Sequence, residues 1–571
     1  MASAVSVVAK ALKTQLSPTK GIKYAFGVVG IPIAEVASAL QEVGIKYIGM
    51  RNEQSASYAA GVAGYLTRTP GVCLVVSGPG FVHALGGMSN AQINGWPMIV
   101  IGGSCGRDQE GFGGFQEFPQ VESARLYSKY TCRPADMSQI PFHVEKAFRQ
   151  STFGRPGASY IDLAADVIAQ ERPESSIEYP PKCPEPPISL APSRLIKSLN
   201  DVLTTAKRPL VIIGKGSAYG HAENPVRRFI EQHQIPFLPT PMGKGVVSDH
   251  SPFCVSSARS KALAQADVIL LLGARLNWIL HFGRPPRFHQ DVKILQVDIC
   301  MEELHNSKQA SVAIAGDIGA VVQQINEELN QSQWKFPQNS SWWTELNQKK
   351  SANTSAIQEM IGDKSTPLNY YAAYHEIQSL IPSDAIIVNE GANTMDIGRT
   401  MLLNDFPRHR LDAGTFGTMG VGLGSAIAAA LWCEDHAPEK RIICIQGDSA
   451  FGFGGMEMGT VTRYGLPIIV IVFNNGGIYF GLEEDNLKSL QEGDAHPALS
   501  IPPNSLSLAA KYDKICEIFG GRGFNVKTVE ELRAAMKECL KVREPCVINI
   551  TIAPFSQKKP QEHPWLTRSN L

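Results

Sequence analysis

The sequence predicts an α/β chain of three doubly wound parallel-sheet domains. Three observations predict it. The 571 residues suit three or four domains at roughly 150 residues each. Short unbroken apolar runs alternate with amphipathic stretches, the pattern of strands covered on both faces by helices. Two unlike segments cut the chain. Residues 173–192 hold seven prolines, which prevent regular helix or central strand. Residues 331–367 are polar, with Trp334, Trp342 and Trp343 as surface anchors, and read as a linker. The expected domains are 1–172, 190–330 and 368–571.

In the first part, residues 24–29, 47–49, 72–77 and 98–101 read as strands, with helices over 33–43, 53–66 and 81–94. The middle part offers strands at 210–213, 268–272 and 294–297. The last offers 385–388, 442–445, 466–473 and 547–552. In such sheets ligands bind beyond the carboxyl ends of the strands, so the residues after each strand carry the functional reading.

Composition narrows the classes. Lys+Arg and Asp+Glu balance at 53 each, so no net field favours nucleic acid or a membrane surface. The apolar runs are far shorter than the roughly 20 residues of a spanning helix. No secretory signal is read at the N-terminus. Eleven cysteines without a C-x-x-C pair read as reduced intracellular thiols, not a disulfide framework or zinc site.

The strongest signal lies in the third part. Strand 442–445 runs into Gln446-Gly447-Asp448-Ser449, and strand 466–473 into Asn474-Asn475-Gly476-Gly477. Twenty-four residues, 450–473, separate Ser449 from Asn474. Mg²⁺ prefers octahedral oxygen ligands and keeps phosphates in its shell. Asp448 supplies one carboxylate, Asn475 a neutral oxygen, and the Gly477 carbonyl a third ligand. That set leaves net positive charge for a diphosphate, with a helix expected near Phe453 to add its N-terminal N–H groups.

Gly-Asp-Ser followed at this distance by Asn-Asn resembles the cofactor motif of thiamine-diphosphate-dependent enzymes, with Ser449 where glycine is usual. The resemblance implies thiamine diphosphate and Mg²⁺ as cofactors, with Gly447, Asp448, Ser449 and Asn475 on the diphosphate side. It implies that Glu53, at a helix start after the second strand, is the acid that activates the aminopyrimidine ring. It also implies Met419 as an apolar wedge beneath the cofactor, Asn393 on a diphosphate-side loop, and Gln116 facing the reacting carbon. Ser77-Gly78-Pro79-Gly80 shapes a turn under the thiazolium. Because Glu53 and Asp448 lie in different domains, the resemblance implies a homodimer or homotetramer.

The middle part starts like a dinucleotide fold at Gly214-Lys215-Gly216, but its spacing departs from G-x-G-x-x-G. Arg275, Asp298 and Asp317 follow later strands and suit phosphate or ribose. A similar set holds ADP in oxalyl-CoA decarboxylases, which makes ADP a candidate ligand.

Blocks 50–54, 237–247, 273–283, 390–399 and 407–424 resemble the peroxisomal 2-hydroxyacyl-CoA lyases, and many are shared with oxalyl-CoA decarboxylases. The first implies cleavage of the C1–C2 bond of a 2-hydroxyacyl-CoA to formyl-CoA and a one-carbon-shorter aldehyde, as in fatty acid α-oxidation. The second implies loss of CO₂ from oxalyl-CoA. A non-catalytic CoA- or nucleotide-binding member is the reading from another class. Arg408 and Arg410 are candidates for CoA phosphates, and the tail, with Trp565 and Arg568, is a candidate to close over the site. Ser569-Asn570-Leu571 is similar to a peroxisomal address read by an import receptor, so the expected compartment is the peroxisome.

Overall fold

A computed structural model describes residues 1–15, 21–556 and 558–559. The sheet of the first part runs Lys46–Gly49, Tyr24–Gly27, Gly71–Val75, Met98–Ser104, Ala158–Ala164, Tyr130–Cys132, all parallel. The third part repeats that order: Arg410–Asp412, Ile386–Glu390, Ile442–Gly447, Ile468–Asn474, Cys546–Thr551, Arg522–Val526. The middle sheet has five parallel strands, Phe237–Pro239, Pro209–Ile213, Val268–Leu272, Lys293–Asp298 and Val312–Ala315. Helices cover all three, as the double-sided apolar strands require.

The first and third sheets share a core. Helix Glu53–Thr67 packs on helix Gly422–His436, both rich in Ala and Gly. The approach is close enough that a Cβ at Gly424 would stand 2.6 Å from the Ser55 carbonyl oxygen. Small residues are what let two helix backbones come this near.

Two expectations change. The stretch 331–367 is not a plain linker, because Ser341–Gly362 is a helix capped by Ser340. Its polar surface hid it, yet no proline interrupts residues 338–366. Trp342 and Trp343 are anchors, but to the middle core, where both are buried. The helix expected near Phe453 instead begins at Asp448. Six strands of these three sheets escaped the sequence reading. Ala158–Ala164 carries Asp162 in its centre, fully buried and satisfied by Ser104, Gln120, Arg133 and Tyr160. A polar residue inside a strand breaks the apolar run by which such strands are read. No helix among the described residues is long and apolar enough to cross a membrane.

Candidate active site

The third sheet delivers one cluster. Gly447 caps helix Asp448–Gly454, so Asp448 stands at the first helical position, its side chain buried. Its Oδ1 accepts from the Ser449 N–H at 2.7 Å and its Oδ2 from the Gly477 N–H at 3.1 Å. Burial pushes the carboxyl up to about 6, against the lowering effect of these N–H donors. Among the described residues no Lys, Arg or His pairs with it. A buried acid with only neutral donors around it is short of a cation.

Asn393 and Asn475, from different strand ends, both donate to the Tyr479 carbonyl, at 2.8 and 3.2 Å. The Asn393 Oδ1 is buried without a partner among the described residues. Gly477 has no room for a side chain: a Cβ there would lie 2.1 Å from the Phe480 carbonyl oxygen. Among the described residues no group of three His, Cys, Asp or Glu gathers anywhere. A divalent cation here would meet one carboxylate and neutral oxygens, a donor set that suits Mg²⁺ with phosphate ligands. The residues present fit the diphosphate and its metal.

Above this cluster, fully buried Glu390 ties down the loop that carries Met419. It accepts from the N–H groups of Gly420 and Gly422, the latter at 2.6 Å, and from Gln446 Nε2 at 2.7 Å. Burial pushes its carboxyl up to about 7. Met419 is half-buried at the edge of that loop.

The first sheet delivers a second cluster. Glu53 opens helix Glu53–Thr67, and its Oε2 lies 3.0 Å from His83 Nδ1. The Ser77 hydroxyl donates to Gln116 Oε1 at 3.3 Å, and the Gly78 N–H donates to buried Gln120 at 2.6 Å. Gln120 also donates to Asp162, so a buried polar chain fixes this turn. The hydrogen bonds of Glu53 and of Asp448 stay in separate clusters.

A cavity of about 970 Å³ opens where the three parts meet. Arg275, Asp298 and Asp317 all line it, together with Lys215, Arg155 and Trp96. Arg155 and Arg275 share Glu303, at 2.9 and 3.3 Å, while Lys215 donates to Asn94 at 2.6 Å. Asp317 also caps helix Ile318–Ser332, and Asp298 accepts from the Cys300 N–H. Loss of water first, then the Arg275 and Arg155 charges, holds the Lys215 amine well below the usual lysine range.

Arg408 and Arg410 do not line this cavity. Arg408 pairs with Glu223 at 2.9 Å and donates to the Ala218 carbonyl. Arg410 is fully buried in its strand beside Asp412 and the Gly398 carbonyl. Trp565, Arg568 and Ser569-Asn570-Leu571 lie outside the described residues.

Sequence reasoning passed over His83 and Gln120. It placed Glu390 at the head of a diphosphate-side loop and Lys215 in the Gly214-Lys215-Gly216 turn, but gave neither side chain a role.

Three family descriptions match the chain: thiamine pyrophosphate enzyme, N-terminal TPP binding domain, over residues 6–123; central domain, over 196–325; and C-terminal TPP binding domain, over 390–550. The chain is 54% identical over 570 residues to 2-hydroxyacyl-CoA lyase 1 of Mus musculus, covering 100% of this chain and 97% of that one. It is 53% identical over 570 residues to 2-hydroxyacyl-CoA lyase 1 of Homo sapiens, covering 100% and 98%. Oxalyl-CoA decarboxylase of Escherichia coli (strain K12) is 39% identical over 560 residues, 97% and 95% of the two chains. The chain belongs to the thiamine pyrophosphate enzyme family, and thiamine diphosphate with Mg²⁺ is its cofactor.

Proposed function

We propose that this enzyme is a lyase that cleaves the C1–C2 bond of a 2-hydroxyacyl-CoA, giving formyl-CoA and an aldehyde one carbon shorter. The observation that carries this is the identity of 54% to a 2-hydroxyacyl-CoA lyase over the whole chain, against 39% to an oxalyl-CoA decarboxylase. Thiamine diphosphate, when bound, supplies a nucleophilic carbon and an electron sink for the bond that breaks.

The chain's residues then have distinct tasks. Asp448, Asn475 and the Gly477 carbonyl hold Mg²⁺, and Gly447, Ser449 and Asn393 border the diphosphate. Glu390 fixes the loop that presents Met419 beneath the rings. Glu53 holds a proton at a carboxyl oxygen facing the aminopyrimidine. Ser77 and Gln116 present polar groups to the reacting end of the substrate. The separation of the Glu53 and Asp448 clusters favours a homodimer, or a tetramer of paired dimers, with each cofactor between two subunits.

The CoA nucleotide fits the large cavity. Arg155 and Arg275 share Glu303 there and crowd Lys215, so a phosphate relieves their mutual repulsion. Free ADP has the same chemistry and is a candidate ligand of the same cavity. Arg408 and Arg410 serve the fold instead, through the contacts described above. The tail Ser569-Asn570-Leu571 supports import into peroxisomes by a receptor that reads such termini. A fluorescent fusion with and without these three residues tests that address.

The deciding experiment gives purified protein, thiamine diphosphate and Mg²⁺ either a long-chain 2-hydroxyacyl-CoA or oxalyl-CoA, with products read by mass spectrometry. A shortened aldehyde with formyl-CoA from the first establishes the lyase. Formyl-CoA and CO₂ from oxalyl-CoA alone makes the enzyme a decarboxylase.

A further inference from the structure

The carboxylate of Glu53 has two oxygens with different surroundings. Oε2 lies 3.0 Å from Nδ1 of His83, which stands on helix Pro79–Asn94. Oε1 accepts no hydrogen bond from within the chain among the described residues, and remains available to a ligand. The Glu53 side chain is 13% exposed, the His83 side chain 55%. The acid is thus largely enclosed, and the imidazole bridges it to the open side of the site.

We propose that His83 positions Glu53 and exchanges its proton with the surroundings. This rests on the reading of Glu53 as the activating acid. Imidazole suits the task because its two nitrogens are distinct, one able to face the carboxylate while the other faces water. The step balances without any co-reactant. Once the proton at Oε1 has left the carboxyl, the Nδ1–H bond of the imidazolium breaks as an O–H bond forms at Oε2. The neutral ring then regains a proton from water, and the reverse sequence discharges the acid. Held by Oε2, Glu53 keeps Oε1 directed to the cofactor ring. Exchange with water becomes independent of whether substrate covers the carboxyl.

The test uses the full-length enzyme and two variants at an exposed position, His83→Asn and His83→Ala. Calorimetric titration of the apoenzyme with thiamine diphosphate and Mg²⁺, in buffers of different ionisation enthalpy, counts the protons exchanged on binding. Wild type and H83N are expected to bind the cofactor with similar affinity but to differ in that count across pH 6 to 8. Turnover of H83N falls roughly tenfold to a hundredfold, toward the lower end of general acid–base contributions. H83A falls similarly, and added imidazole restores part of its rate, which a purely structural role would not allow. Wild-type proton counts and pH profiles in both variants, with no response to imidazole, overturn the proposal. Glu53→Gln separates the two readings: full turnover in E53Q removes the role of Glu53 itself, whereas an inactive E53Q beside unaffected His83 variants removes only the relay.

Discussion

The carboxylate of Glu457, in the third domain, accepts a 3.0 Å hydrogen bond from the main-chain N–H of Asn52, the residue just before Glu53. The Arg51 N–H donates to the same Oε1 at 3.0 Å, and Glu457 is buried. Two consecutive main-chain donors are thereby fixed by one acid from another domain. The start of the Glu53 helix is set by this contact as much as by its own cap, Asn52 Oδ1 to the Gln54 N–H at 2.7 Å.

Glu457→Ala leaves the Arg51 and Asn52 N–H groups without this partner, and hydrogen bonds to a charged partner are worth roughly 1.5–3 kcal/mol each at most. The variant is expected to lose about 2–3 kcal/mol in urea unfolding. It also releases the backbone that aims Glu53, so kcat falls by more than KM rises. Steady-state kinetics on the folded variant check that split.

Glu390 gives the apoenzyme a pH dependence whose sign follows from burial. Its carboxyl is pushed up to about 7, above the ordinary glutamate value, chiefly because it is enclosed. A raised carboxyl binds more protons folded than unfolded, so its contribution is fully present below about 4.3 and is lost as pH rises through 7. The change is at most about 4 kcal/mol. Unfolding of wild type and Glu390→Gln from pH 4 to 8 is expected to show a steeper decline in the wild type. Parallel curves would assign the slope to other groups.

How much of this was readable beforehand depended on locality. Val268–Leu272 was read residue for residue because five apolar residues stand between polar ends. Arg410–Asp412 was not, because its charges are satisfied only in the fold, where Arg399 meets Asp412 at 2.8 Å. The same holds for the site. Asp448 and the Asn475-Gly476-Gly477 turn announce themselves by spacing, and the structure brings Asp448 and Gly477 within 3.1 Å. His83 lies thirty positions from Glu53, and Glu390 thirty from Gly420, with no pattern linking either pair. Arg410 is a candidate ligand contact in the sequence because CoA phosphates need cations and it stands just before the Met419 loop. Its complete burial depends on neighbours that one sequence does not reveal.

Gly477 is the sharpest test of the metal cluster. Any Cβ there meets the Phe480 carbonyl oxygen at 2.1 Å, far inside contact distance, and backbone must move to relieve it. That movement displaces the N–H that donates to Asp448. Gly477→Ala is expected to weaken Mg²⁺-dependent cofactor binding at least about tenfold, or roughly 1.4 kcal/mol. Calorimetry with varied Mg²⁺ measures it. In the wild type a chelator should release the cofactor, and Mg²⁺ should restore it.

Lys215 tests where CoA is held. Its amine faces a cavity with Arg155 and Arg275 near, and those two already share Glu303. Lys215→Met keeps most of the apolar stem and removes the charge. If a phosphate of CoA lies there, KM for the acyl-CoA rises about tenfold, the lower range for a charge-assisted hydrogen bond, with kcat little altered. The wild-type KM should also rise with salt, and that rise should be smaller in the variant. An unchanged KM in K215M would move the CoA phosphates away from this cavity. Binding of ADP to the apoenzyme then separates the remaining cases: ADP that competes with acyl-CoA occupies the substrate's own nucleotide position, and ADP that binds alongside it marks a distinct position.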